Sequence, residues 1–264
     1  MSNRFEIYAP ALRKLATELR ADSGAYTPVG PICRKLGVES VKRKNLSVGH
    51  SLLVDAGSSP KILLRNRSET PAGSDPFTSW ERFLIAHELG HLLLRKLNME
   101  QPAGRSEYWQ VETLCDAFAR QLLIPEQCIR GHLSATDISP DLLLQATFSI
   151  AEKAKVPWSA AAHRVGEFVS EVGFFKMAAS LNAGYRVTVS TLPYHRGRGQ
   201  KFHPGSELCQ LIDKARQAGQ QEIEIRGSLL EGIRGLNVTR GYAVPMGKAN
   251  IYIAVQTPRE NTNH

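Results

Sequence analysis

The chain has 264 residues, of which 42% are hydrophobic and 22% are charged, a profile typical of an ordinary soluble globular protein. No stretch approaches the roughly 18 apolar residues that a membrane-spanning helix needs, so we expect no membrane partner. The net charge of +8 suits nucleic acid or an acidic partner. Lysine and arginine are nevertheless scattered along the chain, and a solvated surface is the favoured interpretation of the densest run, Lys42-Arg43-Lys44.

The cysteines and the N-terminus bear on the cellular compartment. The four cysteines include no Cys-x-x-Cys pair, so a cysteine zinc site is not indicated. The first twenty residues contain neither an apolar run nor a small-residue cleavage site, which argues against a signal peptide. We therefore expect a protein of the reducing cytoplasm.

Two short helices and three strands are predicted in the first quarter of the chain. Apolar residues at helical spacing indicate a helix over Ala9–Leu19, and a second helix over Pro28–Leu36 is expected to close at Gly37. Short apolar runs indicate strands over Val38–Val41, Ser51–Asp55 and Lys61–Arg65.

The most informative stretch is His87-Glu88-Leu89-Gly90-His91, which lies in a predicted apolar helix. Thr78 and Glu81 have the spacing of a capping box, so this helix should start at about Ser79 and continue to near Leu97. Residues four apart on a helix lie one above the other, so His87 and His91 can share one metal ion. Glu88 lies beside them, where a general base belongs.

The helix predicted next along the chain covers Glu107–Leu123, and Ile124-Pro125 ends it. It carries Glu112 and Asp116, again four residues apart and on one face. Glu112 can supply a third metal ligand, and Asp116 can accept a hydrogen bond from a ligating histidine and orient it.

The rest of the chain is predicted to be helical at first and then mixed. Helices over Pro140–Phe148 and Pro157–Phe168 flank a break at Lys155-Val156-Pro157. Such a pair fits either a helix-turn-helix or a helical cover for the core. The C-terminal segment should hold one helix and several strands, over Tyr185–Thr191, Glu207–Ala218 (the helix), Glu222–Arg226, Arg240–Pro245 and Asn250–Thr257.

Two histidines and one glutamate form a known zinc ligand set that leaves the fourth position to water. Zinc lowers the pKa of bound water from 15.7 to about 7. We therefore predict one Zn²⁺ on His87, His91 and Glu112, with Glu88 taking the proton and Asp116 in the outer shell. Chance occurrence of the short motif, with structural histidines, is the alternative.

The segments FLIAHELGHLLL and ETLCDAFARQLLIP resemble the ImmA/IrrE metallopeptidases. The resemblance covers Arg82 to Pro125 and weakens on either side. Cys115 stands where the family often has alanine, and Asp116 stands where it often has asparagine. Glu112 and Asp116 have the Glu-x-x-x-Asp arrangement of gluzincin peptidases. The aspartate at position 116 strengthens the interpretation that this residue orients a ligating histidine.

The resemblance implies a zinc endopeptidase that cleaves a helix-turn-helix transcriptional repressor, in a stress response such as DNA damage or in mobile-element or toxin–antitoxin control. A different class of function stays open: a regulatory protein without proteolytic activity that binds a repressor partner or DNA. Residues 171–264 hold 12 Lys or Arg against 7 Asp or Glu, a net charge of +5, so nucleic acid remains a possible partner.

We accordingly expect an α+β protein with a zincin-like core. Its predicted parts are a metallopeptidase domain over residues 1–133, a helical segment over 134–170 and a smaller regulatory or partner-binding α+β domain over 171–264. We also predict that Ile62, Leu63 and Leu64 form an exposed sheet edge that binds an extended substrate through its backbone.

Overall fold

The structure is a computed structural model that describes residues 5–20, 24, 26–54, 59–66, 76–99, 101–133, 139–169, 172–180, 184–191, 200–230, 238, 240–246 and 250–257. The chain divides into two compact units, one of residues 1–131 with 150–160 and the other of residues 132–149 with 161–264. The division passes through helices α6 (Pro140–Ala154) and α7 (Trp158–Gly166). The predicted α+β class is confirmed, whereas the three predicted domain ranges stay predictions.

The first unit combines helices with a small mixed sheet. Its elements are a 3₁₀ turn (Glu6–Tyr8), helices α1 (Ala9–Leu19) and α2 (Val29–Lys35), strands β1 (Ser40–Lys44), β2 (Ser51–Val54) and β3 (Lys61–Arg65), and helices α3 (Ser79–Lys96), α4 (Arg105–Leu123) and α5 (Glu126–Arg130). The strand order is β1-β3-β2, with β1 parallel to β3 and β2 antiparallel to it.

This strand order overturns one prediction. The strand that contains Ile62, Leu63 and Leu64 is central, because β1 and β2 pair with its two sides. Ile62 and Leu64 are also buried in the core, with 0% and 1% exposure. The expected exposed edge is therefore wrong for β3, and an extended peptide cannot pair there. The edge strands of this sheet are β1 and β2.

Helix α3 begins where the sequence predicts. The Thr78 side chain accepts a hydrogen bond from the Glu81 backbone and the Glu81 carboxylate accepts one from the Thr78 backbone, so the capping box is confirmed. Glu81 also receives two hydrogen bonds from Arg43, at 2.6 and 2.9 Å. Arg43 thus ties β1 to the start of α3, which corrects the view that the basic run is only a solvated face.

Helices α3 and α4 pack closely at Gly90. A Cβ atom at this position would lie 3.1 Å from Cys115 Cα and 3.3 Å from Cys115 Sγ. The predicted burial of Cys115 is confirmed, with 0% exposure. Burial also raises the pKa of its thiol well above the ordinary value. Two small residues in contact let the helix backbones approach each other.

The second unit is built on a six-stranded antiparallel sheet. Its strands and helix are β4 (Val172–Ser180), β5 (Gly184–Ser190), β6 (Lys201–Phe202), α8 (Glu207–Gln217), β7 (Ile223–Arg226), β8 (Arg240–Met246) and β9 (Asn250–Gln256), with a 3₁₀ turn at Gly227–Leu230. The strand order is β6-β5-β4-β9-β8-β7. Helix α8 contributes Leu208, Cys209 and Ile212 to a core shared with the sheet.

Several predicted boundaries need correction. Strand β1 lies over Ser40–Lys44 instead of Val38–Val41, and α4 starts at Arg105, two residues earlier than expected. Helix α6 continues past Phe148 to Ala154, because Ile150, Ala151 and Ala154 extend its buried face. Strand β4, at the centre of the larger sheet, was not predicted.

Candidate metal centre

Three side chains from α3 and α4 bring their ligand atoms to one point in the first unit. His87 Nε2 lies 3.1 Å from His91 Nε2 and 3.3 Å from Glu112 Oε2, and His91 Nε2 lies 3.2 Å from Glu112 Oε1. The four-residue spacing places the two imidazoles one helical turn apart, and the close contact of α3 with α4 brings in Glu112. The structure thus brings together the three residues predicted as ligands.

These separations fit a metal ion of ordinary size. Ligand atoms at 2.0–2.1 Å from a tetrahedral zinc would lie about 3.3–3.4 Å apart. The three atoms lie within 4.8 Å of one another, each on a partly exposed residue. Two imidazole nitrogens and one carboxylate oxygen are also donors that zinc accepts. The residues present therefore fit a metal site with three protein ligands.

Asp116 is hydrogen-bonded to the first of these histidines. The Nδ1–H group of His87 donates a hydrogen bond to Asp116 Oδ1 at 2.8 Å. With the proton on Nδ1, the lone pair of the neutral ring is on Nε2, the atom that faces His91 and Glu112. This contact is the one expected from the Glu112 and Asp116 spacing. The ligand and orienting roles themselves remain predictions.

The contacts between these residues shift the pKa values of His87 and Glu112 in opposite directions. Burial lowers the pKa of His87, but hydrogen bonds to Asp116 and Glu112 outweigh burial and raise this pKa to about 10. Burial raises the pKa of Glu112, yet its contacts with His87 and His91 outweigh this and hold it far below its ordinary value. A proton on His87 therefore supplies positive charge that the carboxylates favour, and a bound cation would supply the same charge.

Glu88 and Ser51 form a hydrogen-bonded pair in the same cleft. Glu88 is 6% exposed and lines the same cleft as His87, His91 and Glu112. The Ser51 hydroxyl, on β2, donates a hydrogen bond to Glu88 Oε1 at 2.6 Å. Sequence reasoning found Glu88 from its motif but missed Ser51, because no local spacing links residues 37 positions apart.

The cleft around these residues has a volume of about 630 Å³, within the usual range for ligand sites. Its apolar wall comes from aromatic and aliphatic side chains that sequence analysis did not single out as site residues: Leu52, Trp80, Phe83, Tyr108, Trp109 and Val111. Trp109 and Leu52 are 56% and 50% exposed. Large apolar side chains that line a cleft and remain exposed favour an apolar ligand or peptide side chain.

Strand β2 lines one wall of the cleft and is an edge strand of the small sheet in the described part of the chain. The Arg65 backbone N–H donates to the His50 carbonyl at 2.8 Å, so His50 faces β3. Residues of an antiparallel strand alternate between bonding their partner and pointing away from it. The backbone groups of Ser51 and Leu53 therefore point to the side of β2 that no described strand covers.

Residues 79–165 match the model of the Peptidase_M78 family, described as the IrrE N-terminal-like domain. The chain carries an IrrE N-terminal-like metallopeptidase domain. The matched segment contains His87, Glu88, His91, Glu112 and Asp116, so the resemblance inferred from the sequence is confirmed. None of the curated proteins matches the chain significantly.

Peptidases of this family depend on a metal, which agrees with the group of His87, His91 and Glu112 in the IrrE-like domain. The match spans α3 to nearly the end of α7 and does not reach the six-stranded sheet. Among the residues that the structure describes, no helix combines the length and apolar character required to cross a bilayer.

Proposed function

We propose that this metallopeptidase is a zinc-dependent endopeptidase, with one Zn²⁺ held by His87, His91 and Glu112. The observation that carries the proposal is the convergence of the two imidazole Nε2 atoms and the two Glu112 carboxylate oxygens, with separations of 3.1–3.3 Å. Zinc, when bound, supplies a Lewis acid and lowers the pKa of a coordinated water to near neutrality. Asp116 keeps the His87 tautomer that presents Nε2.

Glu88 has the position of the general base in this proposal. Its carboxylate is buried in the cleft beside His87, His91 and Glu112, where it can accept a proton from water and return it to the leaving amine. A substrate side chain that covers the neighbouring apolar wall would exclude water from that part of the cleft and strengthen electrostatic interactions inside it.

The substrate in this proposal is an extended protein segment that pairs with β2 and places a large apolar side chain against Trp109 and Leu52. Backbone pairing at an open edge supplies affinity, and the apolar wall supplies specificity. A folded helix has its own backbone groups paired and does not fit this edge. β2 replaces β3 in the role that the sequence suggested.

The proposed substrate protein is a helix-turn-helix repressor, and the proposed setting is a stress response or the control of a mobile element or toxin–antitoxin pair. Support comes from the resemblance to the ImmA/IrrE family, which the match to the IrrE-like domain strengthens. The cytoplasm, where such repressors act, is the proposed compartment.

The test has two stages. Zinc-loaded wild-type protein is incubated first with a peptide library and then with a helix-turn-helix protein encoded beside its gene, and products are identified by mass spectrometry. Glu88→Gln is the inactive variant, and Glu18→Gln on the surface of α1 is the matched control. Cleavage by wild type and control, but not by Glu88→Gln, supports the proposal. Binding of the repressor by all three proteins without cleavage would instead support the non-proteolytic regulator.

A further inference from the structure

The contact between Ser51 and Glu88 is the shortest polar link from β2 to the candidate site. At 2.6 Å, the hydroxyl-to-carboxylate distance is typical of a charge-assisted hydrogen bond. Ser51 is the one residue in the described part of the chain whose side chain donates to this carboxylate. Glu88 is 6% exposed, so little solvent is available to replace the bond.

A single donor on Oε1 has a geometric consequence. Glutamate has three rotatable side-chain bonds, and a free carboxylate would sample several rotamers. The Ser51 hydroxyl selects one orientation and occupies one oxygen. The second oxygen then keeps its lone pairs for a proton acceptor role in the cleft.

Ser51 also belongs to the edge of the sheet. Its backbone N–H and C=O point away from β3, as the His50–Arg65 hydrogen bond and strand alternation require. The same residue therefore reaches the cleft edge through its backbone and Glu88 through its side chain. A peptide paired at β2 would lie next to the carboxylate that Ser51 holds.

We propose that Ser51 is a positioning residue that fixes the Glu88 carboxylate for proton transfer to and from a peptide bound along β2. The inference rests on the proposed peptidase function, in which Glu88 is the general base. Ser51 itself transfers no proton in this scheme. Its hydroxyl acts on the geometry of Glu88 alone.

The kinetic test compares three variants in the zinc-loaded full chain. Ser51→Ala removes the hydroxyl, Ser51→Thr keeps it on a β-branched residue that strands accept, and Ser40→Ala makes the same change on β1 of the same sheet. Substrate is the library peptide that wild type cleaves fastest. We expect kcat to fall about 10- to 100-fold in Ser51→Ala, with KM and zinc content unchanged. Ser51→Thr should recover most of the loss, and Ser40→Ala should match wild type.

A crystal structure of each zinc-loaded protein supplies a readout that does not need turnover. Glu88 should take one conformer in wild type and Ser51→Thr, and a shifted or split conformer in Ser51→Ala. An unchanged Glu88 conformer in Ser51→Ala overturns the inference, as does a kcat within about twofold of wild type. If wild type cleaves no peptide or repressor, the proposed function fails, and the Glu88 conformer in Ser51→Ala still decides whether Ser51 positions it.

Discussion

Helix α3 contributes to two groups of polar side chains, one buried and one partly exposed, that use their polar atoms in different ways. The first, called here the anchor cluster, consists of Glu81 and Arg82. The second, called here the ligand cluster, consists of His87 and His91 with Glu112 from α4. The α3 residues of both clusters lie within three turns of the same helix. The clusters therefore differ in the partners of their polar atoms and not in the helix that carries them.

The anchor cluster has a protein partner for each polar group. Arg82 is 1% exposed and donates to the Lys155 carbonyl, the Tyr26 hydroxyl and the Thr27 carbonyl, at 3.1, 2.7 and 2.8 Å. Its guanidinium also lies 4.3 Å from the centre of the Tyr26 ring. These bonds point in separate directions and leave no shared vacancy for a further ligand.

The ligand cluster points three atoms at one another, and one proton or cation can satisfy all three. His87 and His91 hold their Nε2 atoms 3.1 Å apart, so without a metal ion one of the two nitrogens must carry a proton, and the raised pKa of His87 assigns the proton to His87. The comparison teaches that burial of polar groups alone does not identify a site. Convergence of acceptor atoms, with partial exposure to a cleft, distinguishes the ligand cluster from the anchor cluster.

The largest expected effect is on turnover, in Glu88→Gln. Because the amide cannot accept the proton, kcat should fall by about 10² to 10⁴. Zinc content and the unfolding temperature should stay near those of wild type, since the ligand atoms are untouched. Steady-state kinetics and metal analysis of the same preparation check both. Wild-type turnover in this variant would remove Glu88 from the mechanism.

Zinc should stabilise the folded protein through the ligand cluster, and this stabilisation should not depend on the anchor cluster. At free zinc a thousandfold above its dissociation constant, wild type should gain about 4 kcal/mol in free energy of unfolding. A double variant, His87→Ala with His91→Ala, should gain none, while Arg82→Lys should still respond. Thermal unfolding with and without zinc measures this. An equal gain in the double variant would place the metal elsewhere.

The same comparison extends to pH. In metal-free protein, the pKa of His87 is raised from 6.5 to about 10, so its protonated form stabilises the fold fully below pH 6.5. This contribution should disappear as pH rises towards 10. Zinc competes with the proton, so zinc affinity should fall as pH is lowered. Urea unfolding of the metal-free protein and zinc titrations across this range test both directions.

Loss of the Arg82 hydrogen bonds should lower the free energy of unfolding and leave the zinc content unchanged. In Arg82→Leu, the Lys155 and Thr27 carbonyls would lose a buried donor, and we expect a decrease of about 2–4 kcal/mol in free energy of unfolding. Zinc stoichiometry should stay at one per folded chain. Denaturant unfolding and metal analysis check the two statements. A folded Arg82→Leu protein without zinc would show that the clusters are not independent.

A smaller effect is expected from Glu81→Gln. Burial raises the pKa of Glu81, but the hydrogen bond from Arg43 and the capping box outweigh this and lower it below its ordinary value of 4.5. The ion pair therefore stabilises the fold above pH 4.5, and this contribution is lost as pH falls through the lowered pKa.

Glutamine can still accept the capping hydrogen bond from Thr78, but the variant loses the charge and one of the two hydrogen bonds from Arg43. We expect a decrease of about 1 kcal/mol at pH 7, since Arg43 is 37% exposed and solvent screens the pair. The difference between wild type and variant should shrink below pH 4.5. A constant difference from pH 7 to pH 3 would contradict the assigned pKa direction.

Local patterns in the sequence predicted the local parts of this structure. The bounds of α1 and β3 and the start of α3 follow from apolar spacing and from the Thr78–Glu81 pair, all of which act within a few residues. Candidate ligands followed from the four-residue spacings of His87 with His91 and of Glu112 with Asp116, and the family resemblance agreed with them. The geometry of His87, His91 and Glu112 agrees with that inference.

Features that depend on distant pairing were missed. β4 has few strong strand formers in the stretch Lys176-Met177-Ala178-Ala179, and its pairing with β5 and β9 fixes it at the centre of the sheet. The central position of β3 depends likewise on β1 and β2. The contact of Ser51 with Glu88 results from that same strand order, which short-range patterns do not report.

The close contact at Gly90 has a consequence for protein design. His87, Glu88 and His91 can be written onto almost any helix, but the third ligand arrives on a separate helix whose distance is set at Gly90 and Cys115. A larger side chain at either position would act as a spacer and withdraw Glu112 from the two imidazoles. Grafting this centre onto another scaffold therefore requires Gly90 and Cys115 to be transferred together with His87, Glu88, His91 and Glu112.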